Sequence, residues 1–294
     1  MSYKREKHLS LLGVDYTNKS SEELRVLFRQ VLENGMHGLC YSAYREGQKP
    51  GDILSEDQIR QRMKVIAPYT KWVRSFSCIE GNELIPQIAK EFGLKTLVGA
   101  WLGDDKEMNE KEIEGLIQLA KNGHVDIAAV GNEVMYREDL SEEELVNHIL
   151  EVKNAIPGVP VGYVDAYYEF SHRPKITEAC DVILANCYPF WEGCQIDYSL
   201  VYMQQMYHQA KDAGNGKKVI ITETGWPSDG TNLRGAQPSD DNFIKYFINA
   251  QKWSEQDDIE MFYFTSFDEA WKVAAEGDVG AYWGLWDKDE NLKY

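Results

Sequence analysis

Val219-Ile220-Ile221-Thr222-Glu223-Thr224-Gly225-Trp226-Pro227 reads as a buried strand that runs out into a loop. Branched apolar residues suit a strand covered on both faces, and the Gly-Trp-Pro tail cannot prolong it. One carboxylate, Glu223, sits where strand gives way to loop. An unpaired charge in that place is costly, so Glu223 is either half of a buried ion pair or a working group. A second such place, Val130-Gly131-Asn132-Glu133-Val134, lies ninety positions upstream.

Outward from these two stretches the chain alternates between strand and helix. Apolar runs at 36–44, 72–77, 96–102, 127–130, 160–165 and 182–188 precede the quoted strand, and 261–267 follows it. Helical patterns lie between most neighbours, at 55–66, 83–91, 109–121, 198–213 and 239–253, with a further helix expected after Ser141. Eight apolar strands spaced by about 25 to 35 residues predict an α/β chain with a parallel sheet closed on itself, a single (β/α)8 TIM barrel. A doubly wound open sheet competes, but no Gly-rich phosphate turn follows the first strand. Residues 1–34, with Ser20-Ser21-Glu22-Glu23 capping a helix, are expected to form an N-terminal helical extension packed on the barrel, and 35–294 the catalytic barrel.

Composition narrows the function. The 294 residues are 43% apolar and 27% charged, an ordinary globular mixture, and no linker-like segment divides them. A formal charge of -17 disfavours nucleic acid and anionic membranes as partners. Cys40, Cys78, Cys180, Cys187 and Cys194 are scattered, without a Cys-x-x-Cys pair, and are expected as buried free thiols; no metal or cofactor is expected. The six His show no ligand spacing. No run of about eighteen apolar residues occurs, and the basic start is not followed by an apolar signal core. As written, the chain is expected to be cytoplasmic and monomeric, or periplasmic or secreted if a leader was removed.

In a barrel of this kind the site lies at the C-terminal ends of the strands. Glu133 ends the fourth strand and Glu223 the seventh, and strands three apart in a ring of eight face each other across the mouth. Two facing carboxylates are what glycosidic cleavage needs: a proton donor for the departing oxygen, and an anion facing the developing oxocarbenium ion. The same spacing is compatible with a structural ion pair or with two unrelated surface acids. Eight Trp and 17 Tyr suit the apolar faces of sugars, although core packing also uses them.

The stretch Ile220-Ile221-Thr222-Glu223-Thr224-Gly225-Trp226-Pro227-Ser228 resembles the signature of glycoside hydrolase family 17, the β-1,3-glucanases and glucanosyltransferases. Further matches run in order through Gly38-Leu39-Cys40-Tyr41-Ser42-Ala43-Tyr44-Arg45, Val73-Arg74-Ser75-Phe76-Ser77, Val130-Gly131-Asn132-Glu133, Asn186-Cys187-Tyr188-Pro189-Phe190 and Phe267-Asp268-Glu269-Ala270-Trp271-Lys272. The resemblance implies a retaining double displacement on β-1,3-glucan, with Glu133 as acid then base and Glu223 as nucleophile. Glu133 must then be protonated near neutral pH, which calls for an apolar or anionic surround. Glu223 calls for donors, and Arg74 and Tyr188 are the expected ones; Asn132 is placed to hold a sugar hydroxyl. Glu269 and Lys272 match family positions that line the cleft, where an exposed ion pair is the bland alternative. Tyr41, Trp101, Tyr136, Trp191, Trp226, Trp271 and Trp283 are candidates for sugar stacking, foremost Trp226 and Trp271, with Tyr41 as a further substrate contact. Relatives carry another Glu shortly before the Trp-Gly-Leu-Trp ending, where this chain has Val279-Gly280-Ala281-Tyr282; the usual acidic cluster is therefore expected to lack a member. The leading expectation is an internal β-1,3-glucan hydrolase of the laminarin-cleaving type. A β-1,3-glucanosyltransferase using the same carboxylates and a non-catalytic glucan-binding barrel are the alternatives.

Overall fold

A computed structural model describes residues 13–294. Residues 1–12 of the expected extension lie outside the described residues. The strands are β1 (Met36–Cys40), β2 (Thr70–Ser75), β3 (Lys95–Ala100), β4 (Ile127–Asn132), β5 (Val161–Ala166), β6 (Val182–Asn186), β7 (Lys218–Thr224) and β8 (Met261–Tyr263). All neighbours pair in parallel, and β8 pairs back to β1 through Gly38 opposite Phe262, so the sheet closes into an eight-stranded barrel. The strands are near-continuous apolar runs because both faces are covered, by the barrel interior and by the helices outside.

The helices are α1 (Ser21–Glu33), α2 (Glu56–Ile66), α3 (Leu84–Glu91), α4 (Lys106–Lys121), the short α5 (Val134–Arg137), α6 (Glu142–Ala155), the short α7 (Glu169–His172) and α8 (Pro174–Ala179), α9 (Ser199–Ala213), α10 (Asp240–Gln256) and the short α11 (Val273–Glu276). Full capping boxes start α1 and α6: Ser20 and Ser141 accept from the backbone of Glu23 and Glu144, whose carboxylates bond back. α4 begins earlier than the apolar period implies, because Asp105 caps it and accepts from the N–H groups of Glu107 and Met108.

α1 takes the eighth place in the helical layer. It packs on α10 and touches the turn Ala67–Tyr69, while only short turns and α11 follow β8. Phe28 packs tilted on Phe247 at 4.8 Å and meets Tyr294 edge-on at 5.5 Å. Leu24, Phe28, Val31 and Leu32 are buried there, each worth roughly 1.5–3 kcal/mol.

Five strands end sooner than their apolar runs, β1 and β8 by the most. β1 stops at Cys40, and the chain lifts off to form the mouth. β8 stops at Tyr263, and the segment after it, still bonded to Thr224 O and Cys40 O, also pairs with the C-terminal stretch. Thr265 N–H donates to Trp283 O, and Leu285 N–H donates back to Thr265 O. Trp286 N–H donates to Ser266 O in the same ladder-like run. Residues 264–267, with Phe264 and Phe267 among them, are thus buried against the chain end, a contact that strand periodicity cannot distinguish from a barrel neighbour.

Candidate active site

Glu133 is aimed by a break in its strand. The β4–β5 register shifts between Ala129 and Asn132, and Gly131 holds φ +83°, where a Cβ would meet Val134 Cγ2 at 2.8 Å. Glu133 itself adopts φ +52°, a left-handed conformation that costs a non-glycine residue on the order of 1–3 kcal/mol. The turn is tied down in return. Glu133 N–H donates to Val164 O at 2.8 Å, and Arg137 reaches back to Asn132 O at 2.5 Å and to Leu102 O at 3.0 Å. Asn186 Nδ2 donates to Glu133 Oε1 at 2.9 Å. Burial first, and the Glu223 charge second, push the Glu133 carboxyl up to about 7.

Glu223, at the end of β7, meets two donors. Arg74 Nη1, from β2, lies 2.5 Å from Oε1, and Tyr188 Oη, past the end of β6, donates to Oε2 at 2.8 Å. Arg74 is itself buried and stacked 4.3 Å over the Phe76 ring, with Nη1 also donating to Thr222 O at 3.0 Å and Nη2 to Asn132 Oδ1 at 2.6 Å. With its oxygen engaged, the Asn132 side chain offers a ligand its NH2 group.

The two acids line one cleft of about 420 Å³, together with Tyr41, Trp101, Asn132, Glu269, Trp271 and Lys272. Glu269 and Lys272 form a buried ion pair, not an exposed one; Glu269 Oε1 also accepts from Trp271 Nε1 at 2.9 Å, and Lys272 Nζ sits 4.0 Å over the Phe264 ring. A further acid joins the cleft from another position in the chain. Glu276, at the end of α11, enters the same cleft; burial raises its carboxyl to about 7, with Lys272 acting against that and Glu223 and Glu269 adding to it.

Three aromatic expectations are corrected. Trp226 is fully buried, donates Nε1–H to Gln237 O at 3.0 Å, packs against Phe190 and Tyr246, and does not line the cleft. Gly225 lets the backbone pass so close to Phe264 O that a Cβ would stand 2.2 Å away, and the indole that follows lies behind the barrel wall. Tyr41 forms part of the cleft wall, but its hydroxyl is spent on Ile59 O at 2.7 Å, so it offers no polar contact and no open ring face. Trp283 is buried among Tyr188, Phe190 and Phe264. Trp271 and Trp101 line the cleft, Trp101 with 42% exposure and the Arg137 guanidinium 4.6 Å over its ring.

Sequence reasoning passed over Asn186 and Glu276. Asn186 lies in the same motif as Tyr188, two residues before it; nothing local marks Glu276, because its place depends on how the chain folds back after β8. A second cavity of about 620 Å³, at the opposite end of the barrel around His37, Lys71, Gln251 and Glu260, holds no facing acid pair set in a donor frame. Among the described residues no cluster of three or more His, Cys, Asp or Glu is arranged to hold a metal.

Comparison with known proteins agrees with this geometry. Residues 38–284 match the BtgE/BtgC glycoside hydrolase domain. A glucan 1,3-beta-glucosidase of Schizosaccharomyces pombe is 27% identical over 97% of this chain and 93% of its own. One from Candida albicans is 28% identical over 86% and 91%. The crystal structure of a glycoside hydrolase family 17 β-1,3-glucanosyltransferase from Rhizomucor miehei superposes with a TM-score of 0.80 at 30% identity, covering 89% of this chain and 96% of that one.

Proposed function

We propose, from the premise that this chain belongs to the BtgE/BtgC glycoside hydrolase family within the family 17 type, that it cleaves β-1,3-glucan internally with retention of configuration. The observation that carries the reading is the asymmetry of the acid pair. Glu133 lies desolvated with its carboxyl up at about 7, and Glu223, facing it, accepts from Arg74 and Tyr188.

Those environments suit two different tasks. Glu223 attacks the anomeric carbon while Glu133 gives its proton to the glycosidic oxygen; the C–O bond breaks, and the sugar is left as an ester of Glu223. Esterification removes the Glu223 charge, which is one of the causes that hold the Glu133 proton. Glu133 then takes a proton from water, the hydroxide attacks the same carbon from the opposite face, and the Glu223 carboxylate is regenerated. Arg74 and Tyr188 complement the negative charge of Glu223 as nucleophile and again as leaving group.

Laminarin is the test substrate. The protein is expected to shorten it, releasing oligosaccharides of several lengths from the start, and Glu223→Ala to release none; no release by the wild type, or equal release by the variant, overturns the reading. Transfer to a sugar hydroxyl in place of water is the second reading, favoured by the similarity to a glucanosyltransferase and by two exposed aromatics that suit an acceptor sugar, Tyr136 in the short α5 after β4 and Trp191 in the loop after β6. A single defined laminari-oligosaccharide separates the two, because transfer yields products longer than the substrate.

A further inference from the structure

The turn that carries Glu133 is held from the neighbouring strand. β5 contributes Tyr163 and Asp165, two residues apart and therefore on the same face of the strand. Both are sealed from solvent, at 1% and 0% exposure. Tyr163 Oη accepts the Met135 N–H at 2.9 Å and donates its own proton to Asp165 Oδ2. Asp165 Oδ2 also accepts the Tyr136 N–H at 3.4 Å, and Oδ1 accepts the Ala166 N–H at 2.7 Å. Met135 and Tyr136 open the short α5, where backbone N–H groups have no acceptor within the helix. The Tyr163–Asp165 pair supplies those acceptors, immediately after the left-handed Glu133.

Neither residue lines the cleft, so neither touches a ligand there. We propose that Tyr163 and Asp165 are positioning residues for the acid/base: together they hold the 133–136 turn in the left-handed entry that points the Glu133 carboxyl at the glycosidic oxygen. This rests on the glycosidase reading above. Asp165 acts electrostatically as well. The charged groups facing Glu133 are Glu223 from β7, Asp165 from β5 and Arg137 from its own turn, with neutral Asn186 from β6; the two acids favour the protonated carboxyl and Arg137 opposes it. Burial raises Asp165 itself to about 6, so it is mostly charged at the pH where Glu133 must still carry its proton.

A positioning role for the acid and a merely structural role differ in how they depend on the leaving group. A sugar leaving group needs a proton; 2,4-dinitrophenolate does not. Asp165→Asn keeps an acceptor for Tyr163, and Tyr163→Phe removes the bridge to Met135, so the two variants perturb the same device differently. Both are to be compared with Glu133→Gln and the wild type, on a laminari-oligosaccharide and on the 2,4-dinitrophenyl glycoside of laminaribiose. Expected is a loss in kcat/KM of roughly 10- to 100-fold on the oligosaccharide, within the span of general acid catalysis, and less than about threefold on the aryl glycoside. The alkaline limb of the oligosaccharide profile is also expected at lower pH in Asp165→Asn. Equal losses on both substrates, no loss on either, or an unmoved limb in Asp165→Asn overturns the proposal. If Glu133→Gln matches the wild type on the oligosaccharide, the glycosidase reading falls first, and this proposal with it.

Discussion

Arg74 joins the two halves of the site: Nη1 lies 2.5 Å from Glu223 Oε1 and Nη2 lies 2.6 Å from Asn132 Oδ1. One guanidinium on β2 therefore couples the end of β7 to the residue just before Glu133 on β4. A planar fork can do this; a single ammonium cannot span both.

Arg74→Lys is accordingly expected to lower kcat by about 100-fold or more, the scale of a lost transition-state donor in a buried site. Breaking a buried pair by removing one partner costs about 3–5 kcal/mol, so Arg74→Met is expected to unfold at clearly lower urea concentration. Steady-state kinetics and urea titration check the two halves separately. Wild-type kcat in Arg74→Lys would remove Arg74 from the catalytic arrangement.

Glu133, with its carboxyl at about 7, acts as an acid only while protonated. The kcat/KM on laminarin is expected to fall as pH rises through about 7, and this limb to vanish in Glu133→Ala assayed on an activated aryl glycoside. Azide added to Glu133→Ala is expected to give the β-glycosyl azide, and added to Glu223→Gly the α-azide. The opposite assignment of anomers by NMR would exchange the roles of the two acids.

Folding stability is expected to fall as pH rises from about 4.5 to about 7. Burial raises Glu133, Glu112 and Glu276 from 4.5 to about 7, and Asp165 from 3.8 to about 6. In that window the folded chain keeps protons that the unfolded chain has released, so each such group destabilises the fold progressively. His37 works the other way: burial lowers it from 6.5 to about 4, so its contribution rises with pH across that range. Four groups against one decide the sign. Calorimetry should find a higher Tm near pH 5 than near pH 8, with a smaller difference in Glu112→Gln; a Tm that climbs over this range contradicts the balance.

Trp271 and Trp226 are expected to separate binding from folding. Trp271→Ala, in the cleft, should raise KM several-fold with little change in Tm, the loss of a sugar-facing ring. Trp226→Ala, in the packed layer behind β7, should cost about 3–5 kcal/mol of stability. A raised KM in Trp226→Phe with unchanged Tm would return that ring to the site.

The acids at strand ends and the strand–helix alternation were legible because both are local. An apolar run of five or six residues followed by Gly or Asn marks a strand leaving the core, and a carboxylate at that point is conspicuous whatever surrounds it. Arg74 and Tyr188 were legible through the family motifs they stand in, Val73-Arg74-Ser75-Phe76-Ser77 and Asn186-Cys187-Tyr188-Pro189-Phe190. Trp226 misled because adjacency in sequence to Glu223 says nothing about side: beyond the strand the two-residue alternation no longer holds, and the indole packs against Phe190 and Tyr246.

The amino-acid sequence by itself determined the barrel, its family and the identity of the two acids, since these follow from periodicity and motif, which short-range sterics and burial impose. Only the tertiary structure decided the remaining groups around those acids. Asn186 bonded to Glu133, Glu276 folded into the acidic cluster, and Tyr163 with Asp165 beneath the 133–136 turn are contacts between segments tens of residues apart. They exist because the ring closes and the loops pack over it, and desolvation, which sets the proton affinity of Glu133, is a property of that packing and not of any local stretch.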